Sequence, residues 1–416
     1  MKKKIWIINH YAGNMFLQEG GRHFWFAERL KKNGYEPTIL CASTIHNSNT
    51  SIDTKDKSVL IDGCGKFPFV FIKTPDYQGN GRKRIMNMYS FYKNIKRFSG
   101  EISDILGVPD IIYASSVHPL TLVAGIKIAK RFGIPCICEV RDLWPLGLIE
   151  YGIIKDKSLL ASLLYKGEKW IYKKADAVIM TVEGCRQYIK DMGWEKEVDI
   201  NKVHYINNGI VIKDFDENIE DFQIEDEDLI GSGNCNIVYT GSIRKANDLN
   251  ALVDAAEVLR GKNRPEIKIL VFGEGDEREA LEKKVREKNL TNIVFKGEVD
   301  KKYVASIVSK ANVNILHRTT NRTDIYGQSQ NKLFDYMAAG KPIFSTYDQP
   351  YNLVKEYDCG TSVSDQTPDS IADGIIAIVS DEINYEKYSH NAREGAKDFD
   401  FDVLTEKLIR IIEESG

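Results

Sequence analysis

The sequence predicts an α/β protein of two doubly wound domains facing a central cleft, and three observations predict it. Short apolar runs alternate with helical stretches roughly every 20 to 35 residues, the rhythm of βαβ units with right-handed crossovers. That rhythm restarts near Ile237 after a polar, acid-rich stretch, 213–234, so there are two such series. A chain of 416 residues also exceeds one ordinary hydrophobic core. With 57 basic and 60 acidic residues, a net charge of -3 and 43% hydrophobic residues, the composition is that of a soluble globular protein. It does not point to nucleic acid as a partner. Apolar runs such as 375–379 are far shorter than a membrane span, and the Met-Lys-Lys-Lys start leads into a strand-length run only. The expectation is a cytoplasmic chain with neither signal peptide nor span. The 7 cysteines show no C-x-x-C pair and no metal-ligand spacing, so they read as reduced, small core residues and no metal is expected.

In chain order, a strand at 4–9 is followed by a loop carrying Gly20-Gly21, a helix at 22–32 and a strand at 38–42. Gly21 opens the helix, where free N–H groups can meet an anionic or sugar ligand; a sterically required turn is the plain alternative. No G-x-G-x-x-G is present, which argues against a dinucleotide cofactor. Residues 80–98 combine Arg82, Lys83, Arg84, Lys93, Lys96 and Arg97 with apolar and aromatic residues and no acid. They read as a basic amphipathic helix, either lying on an anionic membrane surface or simply solvated on its basic face. A strand at 110–114 precedes His118, and the strand 134–140 runs into Arg141-Asp-Leu-Trp-Pro145; both sites are strand ends, where α/β proteins bind ligands. Arg141 and Asp142 either serve such a site or pair with each other. Trp144 reads as packing rather than a sugar platform.

The second series starts at 237–241, with the loop Gly241-Ser-Ile-Arg-Lys245 and a helix at 248–259. A strand at 267–272 is followed by Gly273-Glu-Gly-Asp276 and a helix to 288, and a strand at 293–295 by Gly297. The stretch 326–340 reads as one helix, capped by Ser329 and ended by Gly340 and Pro342, between strands at 313–317 and 342–345. Leu333, Phe334 and Met337 fall on its apolar side; Gln328, Asn331, Lys332 and Asp335 fall on the other, pointed at a ligand site. For Lys332 and Asp335 the plain alternative is an exposed i, i+3 ion pair. Two helices, 385–397 and 403–414, close the chain. The domain reading is 1–210, a connection at 211–235, 236–397, and a terminal segment, 398–416, that returns to the first domain.

Several motifs, in this order and spacing, resemble glycosyltransferase family 4: Gly20-Gly21, Pro109-Asp-Ile-Ile, Glu139-Val-Arg-Asp-Leu-Trp-Pro145, Asn208-Gly-Ile210, Tyr239-Thr-Gly-Ser, Phe272-Gly-Glu-Gly275 and Asn331-Lys-Leu-Phe-Asp-Tyr-Met-Ala-Ala-Gly-Lys-Pro342. The subgroup most similar builds capsule and O-antigen units from N-acetylated sugars. The resemblance implies a GT-B fold of two Rossmann-like domains and retaining transfer from a nucleotide sugar, usually UDP-linked, without an essential metal. The sugar nucleotide is a substrate, and no cofactor is implied. The C-terminal domain would hold the donor and the N-terminal domain would face a polyprenyl-pyrophosphate-linked glycan acceptor, with the enzyme peripheral on the inner membrane face.

Departure of a nucleoside diphosphate leaves negative charge that fixed cations and oriented N–H groups must stabilise. By the resemblance, Arg244 and Lys332 serve that role, with Lys245 as an alternative to Arg244. Asp335 would bind the ribose diol, and backbone from Gly297 to Val299 would read the base. Gly241, Ser242, Gly273, Asn331 and Leu333 complete the donor-facing set, although the Leu333 side chain reads as core. Gly21 and His118 would lie on the side of the transferred sugar, and Arg141 and Asp142 nearer the acceptor. Many members carry two glutamates eight positions apart, where this chain has Gly327 and Asp335. Two other activities fit the same motifs: a UDP-sugar epimerase or hydrolase, and a non-catalytic nucleotide-sugar or glycan binder.

Overall fold

The computed structural model describes residues 2–416 apart from Asn47, Asn49, Asn80 and Ser232. Asn80 of the expected basic helix and Ser232 of the expected connection thus lie outside the described residues. The chain divides into two compact units, Met1–Asn207 with Phe401–Gly416, and Asn208–Asp400.

The first unit is built on strands β1 (Lys4–Asn9), β2 (Glu36–Ala42), β3 (Val59–Asp62), β4 (Phe69–Ile72), β5 (Ile111–Ser115), β6 (Cys136–Val140), β7 (Ala177–Met180) and β8 (Val203–Tyr205). They form one sheet in the order β3-β4-β2-β1-β5-β6-β7-β8, parallel except for β3 against β4. Near-continuous apolar runs such as Ile5-Trp-Ile-Ile8 make strands of this kind, because both faces of a parallel sheet are covered. Helices Arg22–Lys32 and Phe401–Ser415 pack together on one side. Pro119–Phe132 packs on β5 and β6 and touches both Arg82–Leu106 and Leu159–Lys174.

The second unit has strands β9 (Cys235–Thr240), β10 (Ile267–Phe272), β11 (Ile293–Gly297), β12 (Val313–Leu316), β13 (Ile343–Ser345) and β14 (Gly360–Ser362). All are parallel, in the order β11-β10-β9-β12-β13-β14. Alternate side chains serve two cores. Phe344 joins the cluster under helices Asn250–Gly261 and Pro368–Ser380. Ile343 joins the one formed with Phe215, Phe334, Met337 and Ala396. Full burial of each such side chain is worth about 1.5–3 kcal/mol.

In both sheets the strand order reverses at one place, between β1 and β5 in the first unit and between β9 and β12 in the second. Ligands of doubly wound folds bind at the carboxyl ends of the strands flanking such a reversal.

Two sequence expectations are corrected. The stretch 326–340 is not one helix: a 3₁₀ turn, Arg322–Tyr326, ends at Gly327 with φ 100°, Gln330 is extended, and the α-helix runs only from Asn331 to Ala338. Ser329 does not cap it; its Oγ accepts the Asn208 N–H at 3.2 Å. Within 211–235, helix Ile212–Asp221 buries Phe215 in the second unit and Asp226 caps a short turn at Glu227–Ile230. β3 and β4 have no counterpart in the sequence reading.

Candidate functional site

The loops leaving β9, β10 and β11 are sewn together by backbone. Gly241 N–H donates to Phe272 O (2.9 Å), Ile243 N–H to Glu274 O (2.8 Å) and Gly273 N–H to Gly297 O (2.8 Å). So close an approach excludes side chains: a Cβ on Gly273, whose φ is +151°, would stand 1.8 Å from Gly241 O. A Cβ on Gly241 would meet Lys332 Nζ at 2.8 Å, so that ammonium lies against the end of β9. It also sits over the Tyr239 ring, 3.8 Å from its centroid.

The Lys332 residue is half-buried, but its Nζ is inaccessible and has no hydrogen-bond partner. Burial, with the Arg318 charge nearby, lowers its pKa from 10.5 to about 7. The ion pair with Asp335, the plain alternative to a ligand role, is absent, and Asp335 is not among the charges acting on Lys332. Asp335 is half-buried on another side of the helix, facing Lys301; burial raises its pKa from 3.8 to about 6 while Lys301 opposes the shift. Helix Asn331–Ala338 has no side-chain cap, so the N–H groups of its first turn and the positive end of its dipole are also available. Arg318, after β12, adds a second cation: it pairs with buried Asp324, and its Nε is buried without a partner. His317 is held neutral, its pKa lowered to about 4 by burial, between Thr346 Oγ1 (2.7 Å) and Asp248 O (3.0 Å). The reversal between β9 and β12 thus holds two cationic side chains, Lys332 with no partner for its Nζ and Arg318 paired with Asp324, an arrangement suited to an anion.

Of the other expected donor residues, Arg244 and Lys245 are exposed on the Gly241 loop, Asn331 is exposed at the helix start, and Ser242 Oγ is held by Asn247 Nδ2 (2.9 Å). Gly297 packs under Arg278. Val299 packs its side chain against the core formed by Leu229, Val238 and Ile307, leaving only its backbone for a ligand. Leu333 is core and also lines, with Gln328, Tyr347, Tyr351 and Leu353, a concavity holding about 300 Å³ of empty space.

In the first unit, His118 follows β5 and meets His10, which follows β1. The hydrogen bonds assign the tautomers. Asn87 Nδ2 donates to Pro75 O (2.7 Å), a group that can only accept, so Asn87 Oδ1 accepts from His10 Nε2–H (2.7 Å). His10 Nδ1 is then bare and accepts from His118 Nε2–H (2.7 Å). His118 Nδ1 is left as a buried lone pair without a partner, ready for a hydroxyl donor. Burial keeps both rings neutral: the His118 pKa is lowered from 6.5 to about 3, and that of His10 well below its ordinary value. Arg84 reaches Tyr11 Oη (3.1 Å) beside them.

Gly21 is the N-cap of Arg22–Lys32, and a fully buried carboxylate, Glu139, anchors that turn. Glu139 accepts from Arg22 (2.7 Å), His23 (2.8 Å), Tyr113 (2.5 Å) and Ser115 (2.6 Å). Burial alone would raise its pKa, but Arg22 and His23 hold it well below the carboxylate range. Arg141 binds Ser116 Oγ through its N–H (3.2 Å) and has a buried, unpartnered Nε. Asp142 is exposed, and the two are not hydrogen-bonded to each other. Asp142 lines a second concavity of about 260 Å³ with Ser116, Trp144, Glu168 and Tyr172, so Trp144 does face a space.

The sequence reading missed Tyr239, His317, Arg318, His10 and Asn87. His10 and Arg318 lie just past strand ends, a position they share with His118 and Arg141. Asn87 lies within the basic helix, where its charged neighbours drew the reading to the surface.

The sequence matches two family models: the Glycosyltransferase Family 4 model over residues 25–214 and the Glycosyl transferases group 1 model over 221–395. An uncharacterized glycosyltransferase of Methanocaldococcus jannaschii, MJ1069, is 26% identical over 235 residues, 55% of this chain. The match spans 56% of that relative, little more than half its length. Among solved structures, Anabaena Alr3699/HepE in complex with UDP-glucose superposes with a TM-score of 0.65 at 12% identity, covering 99% of both chains. WaaG, a glycosyltransferase involved in lipopolysaccharide biosynthesis, gives 0.62 at 15% identity, covering 98% of this chain and 99% of that one. Two doubly wound units, glycine-sewn strand ends and these matches agree: the chain has a GT-B-like fold and is related to glycosyltransferase family 4.

Proposed function

We propose that the protein transfers a sugar of the N-acetylhexosamine type from UDP to a polyprenyl-pyrophosphate-linked glycan, with retention of configuration, in surface polysaccharide assembly. The observation that carries this reading is the buried, unpartnered Lys332 ammonium at the strand-order reversal of the second unit. A nucleoside diphosphate would supply the missing counter-charge. Lys332 and Arg244, with Lys245 beside it, would stabilise the departing UDP as the bond from sugar C1 to the phosphate oxygen breaks. The acceptor hydroxyl oxygen would bond to C1 from the same face while its proton passes to the leaving phosphate oxygen. Asp335 would hold the ribose, and backbone at Gly297–Val299 the uracil. His118 Nδ1 would accept from a hydroxyl of the transferred sugar. The second unit is thus the donor unit and the first the acceptor unit, with Arg141, Asp142 and the concavity beside Trp144 on the acceptor side.

The bound ligand named for HepE and the pathway named for WaaG support a UDP-sugar donor and a glycolipid acceptor. A peripheral site of action on the inner membrane face is supported by helix Arg82–Leu106, where Ile85, Met86 and Tyr89 are exposed beside Arg82 and Lys83. No helix among the described residues is long and apolar enough to cross a membrane.

The test incubates the protein with labelled UDP-N-acetylhexosamines, with and without a polyprenyl-pyrophosphate glycan. Label entering the lipid fraction only when acceptor is present is the expected result, with the product anomer matching the donor by NMR. Altered or free sugar without acceptor would indicate an epimerase or hydrolase instead, and retention of intact donor alone a binder.

A further inference from the structure

Helix Leu159–Lys174 has an apolar tip that nothing in the first unit covers. Leu159 is 93% exposed, Leu160 53% and Leu163 65%; in the preceding loop Tyr151 is 63% exposed and Ile153 68%. Such a cluster on one end of one helix is far from the scattered exposed leucines of ordinary surfaces. Ser158 caps the helix by accepting the Ala161 N–H, so the tip is ordered rather than frayed.

Charge is arranged around it. Lys155 and Lys157 are exposed in the loop, and Lys166, Lys173 and Lys174 are exposed further along the helix. The carboxylates of 151–174 are Asp156 and Glu168, and Glu168 is buried between Tyr172 and Tyr188. A basic surface therefore rims the apolar tip on a chain whose net charge is -3. Seven residues at 1.5 Å each put Lys166 about 10 Å behind Leu159. That is comparable to the depth of a bilayer's headgroup layer plus the reach of a lysine stem, which can snorkel to phosphate while leucine enters hydrocarbon. A second copy of the chain would bury the leucines equally well but would set like-charged lysine rims against each other.

We infer that the 151–163 tip, Tyr151 and Ile153 with Leu159, Leu160 and Leu163, inserts into an anionic lipid surface while Lys155, Lys157 and Lys166 bind its phosphate headgroups. The buried side of the same helix carries Glu168, Ile171 and Tyr172, which line the concavity beside Trp144 and Asp142. Nine residues of helix hold that concavity about 14 Å from the tip, near the height of a lipid-borne diphosphate. This deepens the membrane-side reading above and rests on it only for the acceptor's location, because insertion itself is independent of which sugar is moved.

The test uses the full chain and vesicles of phosphatidylcholine with and without phosphatidylglycerol. Wild type should sediment with the anionic vesicles, less so at high salt. The variant L159E/L160S/L163E should lose at least tenfold in vesicle partitioning, and K155E/K157E/K166E should lose binding to anionic vesicles. Both should keep wild-type circular dichroism and UDP binding, since all substituted positions are exposed. A tip variant that sediments as wild type does, or a wild type that ignores vesicles and forms a dimer broken by the leucine substitutions, would overturn the inference. Loss of sugar transfer with intact vesicle binding would count against the proposed function instead.

Discussion

A buried ammonium without a counter-charge is costly, because its charged form loses hydration that nothing in the fold replaces. Lys332 is such a group, with a pKa lowered from 10.5 to about 7. A folded-state pKa below the unfolded value means that the unfolded chain binds the proton more tightly. The penalty is therefore complete at and below pH 7 and fades as pH rises toward 10.5. Lys332→Met should raise stability at pH 7 by ~1–3 kcal/mol in urea denaturation, a gain that shrinks at pH 9, while removing UDP binding. In wild type, UDP should recharge the lysine, so calorimetry in buffers of different ionisation heat should detect proton uptake above pH 7. Unchanged UDP affinity in the variant would remove Lys332 from the phosphate role. The lysine was legible in the sequence because helical spacing groups it with Asp335 at i, i+3, away from the apolar side of Leu333, Phe334 and Met337. Its isolation from Asp335 was not, since spacing along a helix gives proximity but not side-chain direction.

At the scale of elements, the strand-end loops position the site through backbone contact. Gly241 and Gly273 are required by that contact and by their positive φ together. Gly273→Ala must push Gly241 O away, parting the β9 and β10 loops, and should cost at least ~2 kcal/mol and weaken UDP binding. Gly34→Ala is the control: φ is +86° there too, but no atom lies within 4 Å of the added Cβ, so only backbone strain of about 1–2 kcal/mol is expected, with UDP binding unchanged. Equal costs at the two positions, read from urea midpoints, would mean that the contact is slack. Strands β1 and β10 were read with their observed bounds, because continuous apolar runs leave no other choice. The helix at 331 was read too long because a helical spacing of polar residues continues through 328–330, while Gly327 and the extended Gln330 break the backbone there.

For the molecule as a whole, each unit has its own sheet, its own core and its own reversal of strand order, and the chain segment 401–416 belongs to the first. The residues proposed to hold UDP itself lie in the second unit alone. Hydrogen exchange with UDP at 100 times its Kd, a condition adding about 2.7 kcal/mol to the binding state, should therefore protect amides within Asn208–Asp400, most strongly at 241–245, 297–299 and 329–335. Protection centred on His10 and His118 instead would reverse the assignment of donor and acceptor units.

The sequence by itself determined the α/β class, the two series of strands, most strand positions, and the polar side of the helix that carries Lys332 and Asp335. These follow from local periodicity and from glycines at strand ends, which neighbouring residues suffice to specify. Only the tertiary structure decided that Lys332 lies over Tyr239 with Arg318 near it, that Asn87 sets His10 and His10 sets His118, and that the leucines at 159–163 stay uncovered. Each of these depends on which strand ends lie side by side and which helix face finds a partner. Strand order, not spacing along the chain, brings β1 next to β5 and β9 next to β12.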